Sequence, residues 1–411
     1  MASLELKSKS ETVQIAKVSH DDLSEKKKKN KKIKIKLYVW RGGCFKSERD
    51  HPAAHGDRSS ETEPNSTGEQ SGPTHLVVMV NGIIGSAGNW KFAAKKFVEK
   101  YSQDLIVHRS ECNSSMLTLD GVDIMGDRLA EEVISIIKCR PGIQKISFIG
   151  HSLGGLVARY AIGRLYGQNP KRQTSDANDA GRADDSGNQC MEEKSKGKIA
   201  GLEPMNFITV ATPHLGSRGH KQVPLFCGLR GLEKMASRLS WMIGRTGEHL
   251  FLIDNDGGNL PLLLQMVNDC GDLQFMSALQ SFKRRVAYAN ACYDQLVGWS
   301  TSSIRRKDEL PKRKDLSRNA KYPHIVNVET PKIASPKQDV VSEPKVNGGK
   351  TMDMEEKIIR GLTKVAWERV DVSFSRSKQR IFAHSTIQVK TYCINSEGAD
   401  VILHMMDNFL L

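Results

Sequence analysis

The chain has 411 residues, 38% of them hydrophobic, with 61 Lys and Arg against 47 Asp and Glu and a formal net charge of +14 at pH 7. That length holds one large domain or two ordinary ones, and no apolar run of about eighteen residues is present to form a membrane-spanning helix. The charge does not point to nucleic acid: much of it sits in basic tracts, Lys26 to Lys36 and Arg305 to Lys314, without the interleaved aromatics of a base-stacking groove.

Residues 1–73 read as a disordered basic and polar segment, a Lys run followed by a Ser/Glu/Gly/Pro-rich stretch. Lys34 to Trp40 could form an isolated strand. The Lys run could attract an anionic membrane surface, although a solvated tail or a nuclear-type basic cluster is the favoured reading. From residue 74 the pattern changes to that of one folded domain reaching 411. His75-Leu76-Val77-Val78-Met79-Val80 is a near-continuous apolar run, the signature of a strand buried on both faces of a parallel sheet. A loop, Asn81 to Ser86, leads to a helix from Trp90 to Lys100, a strand over Leu105 to His108 and an amphipathic helix from Gly121 to Lys138. Ile146 to Ile149 is a strand, and Leu153 to Leu165 has helical spacing. Further strands are expected at Met205 to Ala211, Val286 to Ala289 and Val370 to Phe374. Met354 to Arg369 is amphipathic, and a last helix lies near Ala399 to Leu410. Polar insertions are expected at about 168–198 and 304–350. Residues 219–282, rich in Leu, Met, Phe and Trp, suit either a cap over a pocket or ordinary core. Alternating strands and helices predict an α/β class, a mostly parallel sheet covered on both faces.

The chemistry begins at Gly150-His151-Ser152-Leu153-Gly154, set between strand and helix. There a serine sits on a sharp turn, and flanking glycines let strand and helix approach closely enough to expose its hydroxyl. Acyl transfer by Ser152 needs a base, an acid to orient that base, and donors for the oxyanion. Asp294 follows the predicted strand at 286–289 directly, which puts it at the carboxyl edge of the sheet. Asp254 and Asp256 lie instead in a turn-like stretch without such a strand. Downstream of Asp294 the histidines are His324, His384 and His404. His324 falls in the polar insertion and His404 within the last helix. His384, in a loop ahead of that helix, is the preferred base, with His404 in reserve. His214 precedes Asp294 in the chain, and His151 is the variable position of the elbow. The oxyanion donors are expected from the N–H of Leu153 and from Ile83, with Gly82 as an alternative to Ile83.

At these residues the chain resembles the lipase-like serine esterases of plants and fungi in the α/β-hydrolase superfamily. The resemblance is carried by His75 to Gly82, Gly150 to Tyr160, Thr212 to Gly216, Asn290 to Trp299 and the Ala383-His384 pair followed by Ile387. It implies a lipase-type fold with Ser152, Asp294 and His384 as the triad. Many relatives carry His-Gly where this chain has Asn81-Gly82, and His-Asn where it has His384-Ser385.

The expected function is hydrolysis of carboxylic esters, of lipids in particular, through an acyl-enzyme. The alternative is a non-catalytic α/β-hydrolase scaffold that binds a small apolar ligand or a protein partner. No cofactor or metal is expected. The eight cysteines show neither zinc-site spacing nor a disulfide framework, which fits reduced thiols inside a cell. With no secretory leader pattern at the start and too many acids there for a transit peptide, the cytoplasm is the expected location and a plastid the alternative.

Overall fold

Residues 72–169, 197–217, 243–255, 258–331 and 350–411 are described by the computed structural model, and they fall in one unit, Ser60–Leu411. Among them seven strands form one sheet: β1 (His75–Val80), β2 (Leu105–Arg109), β3 (Lys145–His151), β4 (Glu203–Val210), β7 (Arg284–Asn290), β8 (Ile325–Glu329) and β9 (Glu368–Val372). A two-strand hairpin, β5 (Asp269–Cys270) with β6 (Leu273–Gln274), stands apart. The spatial order is β2-β1-β3-β4-β7-β9-β8. Every pairing is parallel except β8 with β9. This is the α/β-hydrolase fold.

The apolar run at β1 explains its central place. Leu76, Val78 and Val80 enter one core and Val77 and Met79 the other, as the two-residue period of a strand requires. The first core packs α2 (Val122–Cys139) and α3 (Leu153–Leu165) through Met125, Leu129, Leu156 and Ile162. The second packs α1 (Lys91–Lys100) and the C-terminal helix Ala399–Asp407 through Phe97, Val401 and Met405. Strand order reverses between β1 and β3, since β2 lies outside β1 while β3 lies on its other side. The crevice at such a reversal, beyond the carboxyl ends of the strands, is where open α/β sheets bind ligands.

Two expectations need correction. The stretch from 304 is not a continuous polar insertion, because β8 lies inside it and pairs with β9 as an antiparallel edge. His324, just before β8, is correspondingly held: its N–H and Nδ1 bond the Asp400 carboxylate at 2.7 and 2.9 Å. In the described part of 219–282 several apolar side chains pack into the first core. Leu250, Leu263, Leu264, Met266, Phe275 and Leu279 all join the first cluster. The amphipathic stretch from Met354 also ends earlier, at Leu362, and Glu368–Arg369 belong to β9. The expected disorder of residues 1–71, the strand at 34–40, most of the 168–198 insertion, residues 219–242 and the end of the 304–350 insertion lie outside the described residues.

Candidate active site

Ser152 stands between β3 and α3 with φ 53° and ψ −128°. A non-glycine residue there is strained by about 1–3 kcal/mol, which the surrounding contacts must hold in place. Those contacts are close. The Ser152 N–H donates to Val210 O at 2.8 Å, tying the elbow to the end of β4. A Cβ on Gly150 would stand 2.6 Å from the Gly155 backbone, and one on Gly154 would stand 2.4 Å from Val80 O. Only hydrogen fits at either position, so the glycines permit the close crossing of strand, turn and helix.

The same edge continues across the sheet. The Ala211 N–H donates to Tyr288 O and the Ala291 N–H to Val372 O, each at 2.8 Å. This series of bonds joins the ends of β3, β4, β7 and β9, and it brings the loop after β7 into line with the serine. Asp294 sits in that loop, buried. Its Oδ1 accepts from the Leu296 and Val297 N–H groups at 3.0 and 2.9 Å, and its Oδ2 from Asn290 Nδ2 at 2.8 Å. His384 Nδ1 donates to the same Oδ2 at 3.0 Å. Burial pushes the Asp294 carboxyl up, but the neighbouring His384 charge and the hydrogen bonds from His384, Asn290 and Val297 outweigh it and hold the acid below its ordinary value.

His384 lies on a single helical turn, Ala383–Thr386, between β9 and the last helix. Its ring is 4.7 Å, centroid to centroid, from the ring of His151, the residue before the serine. His151 Nε2 is 2.8 Å from the main-chain oxygen of His384. A carbonyl can only accept, so this nitrogen carries the proton and Nδ1 carries the lone pair. Burial, aided by the His384 charge, lowers the His151 pKa to about 3, which keeps the ring neutral.

The loop after β1 closes over the serine from the other side. A Cβ on Gly82 would meet Ser152 Cβ at 2.9 Å and His151 O at 3.2 Å. Asn81, buried, donates from Nδ2 to Gly82 O at 3.2 Å and to Asn113 O at 3.1 Å, which pins the loop to the segment after β2. The Ile84 N–H is occupied by Thr118 Oγ1 at 2.8 Å. Ile83 stands between Gly82 and this anchored residue. Leu153 opens α3, so its N–H lacks an intrahelical acceptor and lies at the positive end of the helix dipole.

The structure thus brings Asp294 and His384 together and sets both beside the elbow, with Ile83 and Leu153 on its two flanks. The other candidates are engaged elsewhere. His404 Nδ1 pairs with Tyr288 Oη at 2.9 Å, His214 Nε2 with Thr209 Oγ1 at 3.0 Å, and Asp254 Oδ2 accepts from the Leu262 N–H at 2.7 Å. Asp256 lies outside the described residues. Sequence reasoning missed Asn290, whose only signal was its position four residues before Asp294 at the end of a strand, and the contact from His151 to His384, which has no local signal.

A family model described as "Putative serine esterase (DUF676)" matches residues 70–304. Among curated proteins, "Putative lipase ROG1" of Saccharomyces cerevisiae is 29% identical over 264 residues, which is 62% of this chain and 32% of that protein. "Putative lipase C4A8.10" of Schizosaccharomyces pombe is 28% identical over 242 residues, 56% of this chain and 26% of that protein. The chain therefore spans about a third or less of the length of these relatives. Among solved structures, Bacillus licheniformis lipase BlEst2 in its propeptide form aligns with TM-score 0.30 and 14% identity, covering 56% of this chain and 38% of that one.

Proposed function

The chain belongs to the serine esterase family DUF676, and from that premise we propose that it hydrolyses carboxylic esters, with lipids as the substrate class, through an acyl-enzyme on Ser152. One observation carries the reading: a buried carboxylate, Asp294, holds the imidazole of His384 at 3.0 Å beside a serine fixed in a strained elbow. The lipid class is supported by relatives named as lipases.

The chemistry runs as follows. With Asp294 accepting the Nδ1 proton, His384 presents Nε2 as a lone pair. That nitrogen takes the Ser152 hydroxyl proton as Oγ bonds the ester carbonyl carbon. The negative charge that develops on the carbonyl oxygen is met by the N–H groups of Leu153 and Ile83, donors set in place before the reaction. Collapse breaks the bond to the alcohol, which leaves with the proton held by His384. A water then enters and gives its proton to His384 as its oxygen bonds the acyl carbon. Collapse breaks the bond between Ser152 Oγ and the acyl carbon, Oγ takes the proton back from His384, and the carboxylic acid departs. Asp294 stabilises the imidazolium in both halves without itself taking a proton.

A fluorophosphonate probe tests the reading. Wild-type protein should be labelled covalently, and Ser152→Ala protein of equal thermal stability should not. Folded wild type that fails to label would overturn the catalytic reading in favour of the non-catalytic scaffold.

A further inference from the structure

The segment that carries His384 is unusual in its surface. Between Ser375 and Ile394 it has four cations, Arg376, Lys378, Arg380 and Lys390, and no carboxylate. All four are exposed. Among the described residues none of them enters a salt bridge, whereas Lys100 and Lys321 are both paired with Asp407. The Arg380 guanidinium instead lies over the ring of Tyr293, 5.3 Å from its centroid. Interleaved with these charges, Ile381, Phe382, Tyr392 and Ile394 are 62%, 50%, 57% and 53% exposed.

Such side chains gain nothing from water, and their backbone explains why they stay out. Ile381 and Phe382 occupy a single 3-10 turn, Arg380–Phe382, that ends directly in the turn bearing His384, of which Ala383 and Thr386 are buried. The Tyr392 ring stacks on Phe92 of α1 with centroids 5.0 Å apart. Across the elbow, the loop that packs Gly82 on Ser152 also carries an exposed aliphatic residue, Ile84, and the turn bonded to it carries exposed Met116 and Leu117. Apolar side chains thus project from both flanks of the site, with the positive charge concentrated on the His384 flank.

We propose that this face docks on an anionic lipid surface, with Ile381, Phe382, Tyr392 and Ile394 entering the interfacial layer and the four cations contacting lipid headgroups. Aromatic and aliphatic side chains mixed with Lys and Arg are the composition that partitions to a bilayer interface, and unpaired cations add attraction to acidic lipids. The charges call for an anionic partner, and the apolar side chains among them call for one that also accepts apolar groups, as the interfacial layer of an acidic bilayer does. The proposal concerns binding and stands independently of the esterase reading.

The test uses the full chain and sedimentation with vesicles of phosphatidylcholine alone or mixed with phosphatidylserine. Wild type should bind the mixed vesicles more tightly, and added salt should weaken that binding. Ile381→Ser with Phe382→Ser, and separately Arg380→Glu with Lys390→Glu, should each weaken it by about tenfold or more at unchanged melting temperature. Wild type that does not bind, or variants that bind equally well, would overturn the proposal. So would binding lost only when Lys26, Lys27, Lys28 and Lys29 are replaced by Gln, which would assign it to the N-terminal Lys run. A concentration-dependent dimer abolished by the Ile381 and Phe382 changes, without vesicle binding, would assign the face to a second copy instead.

Discussion

His151, the residue before the serine, donates its Nε2 proton to the main-chain oxygen of His384 at 2.8 Å. One end of the histidine base is therefore held by Asp294 at the ring and the other by the elbow itself at the backbone. His151→Phe keeps an aromatic ring but removes the donor. We expect kcat for ester hydrolysis to fall about tenfold with KM little changed, because a lost supporting hydrogen bond misplaces the base rather than the substrate. His151→Gln, which can still donate, should retain more of the rate. Steady-state kinetics of the two variants separates this from simple loss of packing.

The strain at Ser152 gives a prediction of opposite signs. Glycine adopts φ 53° without cost. Ser152→Gly should abolish hydrolysis yet raise stability by about 1 kcal/mol, seen as a higher melting temperature.

Asp294→Asn preserves size and an oxygen for the Leu296 and Val297 N–H groups. It presents an amide toward His384 and favours the wrong imidazole tautomer. By analogy with other serine hydrolases kcat should drop about 10⁴-fold. Near-wild-type circular dichroism would establish that the loss is chemical.

Acid should weaken the fold in two stages. His151 has its folded pKa lowered to about 3 from an ordinary 6.5, so the unfolded chain takes the proton first. Its contribution is complete above pH 6.5 and is lost as pH falls toward 3, at up to about 1.4 kcal/mol per pH unit. Asp294 has its folded pKa depressed, so its contribution is present above the ordinary carboxylate value and disappears as pH falls below it toward the folded value. Denaturant midpoints measured across this range should be flatter for His151→Phe between pH 6.5 and 4, and flatter for Asp294→Asn only at lower pH.

Gly82→Ala puts a methyl group 2.9 Å from Ser152 Cβ and 3.2 Å from a backbone oxygen, so the loop after β1 must move outward. Overpacking of this kind costs about 1–3 kcal/mol. Moving the Ile83 N–H should also cost about 10²-fold in kcat. Both effects are checked by the melting temperature and single-turnover rate of the same variant.

The parallel sheet was legible because strands buried on both faces are written as mostly apolar runs. Leu76 to Val80 in β1 and Val286 to Ala289 in β7 are continuous, and Ile146 to Ile149 in β3 and Met205 to Val210 in β4 are broken only by the buried Ser147, Asn206 and Thr209. Ser152, Asp294 and His384 were legible because strand ends and chain order leave few choices. β8 escaped notice for the converse reason: Ile325-Val326-Asn327-Val328-Glu329 is an edge strand, half polar and flanked by Lys and Pro. Leu262 to Met266 reads alike whether it faces a ligand or a core, since an apolar run specifies burial but not the surface that buries it. The bonds from Asn290 and His151 join residues whose proximity only the folded sheet creates.

The connection from α3 to β4 starts at the amino end of the sheet, away from the serine. Its two ends are fastened together there: the Gly167 N–H donates to Lys198 O at 3.0 Å and the Ala200 N–H to Leu165 O at 2.8 Å. A load applied between residues 169 and 197 is therefore borne first by these two bonds, at the end of the sheet opposite the serine. A fluorescent protein or affinity handle spliced in between residues 170 and 196 should therefore ride along as passive cargo, giving a reporter whose presence the reaction does not feel.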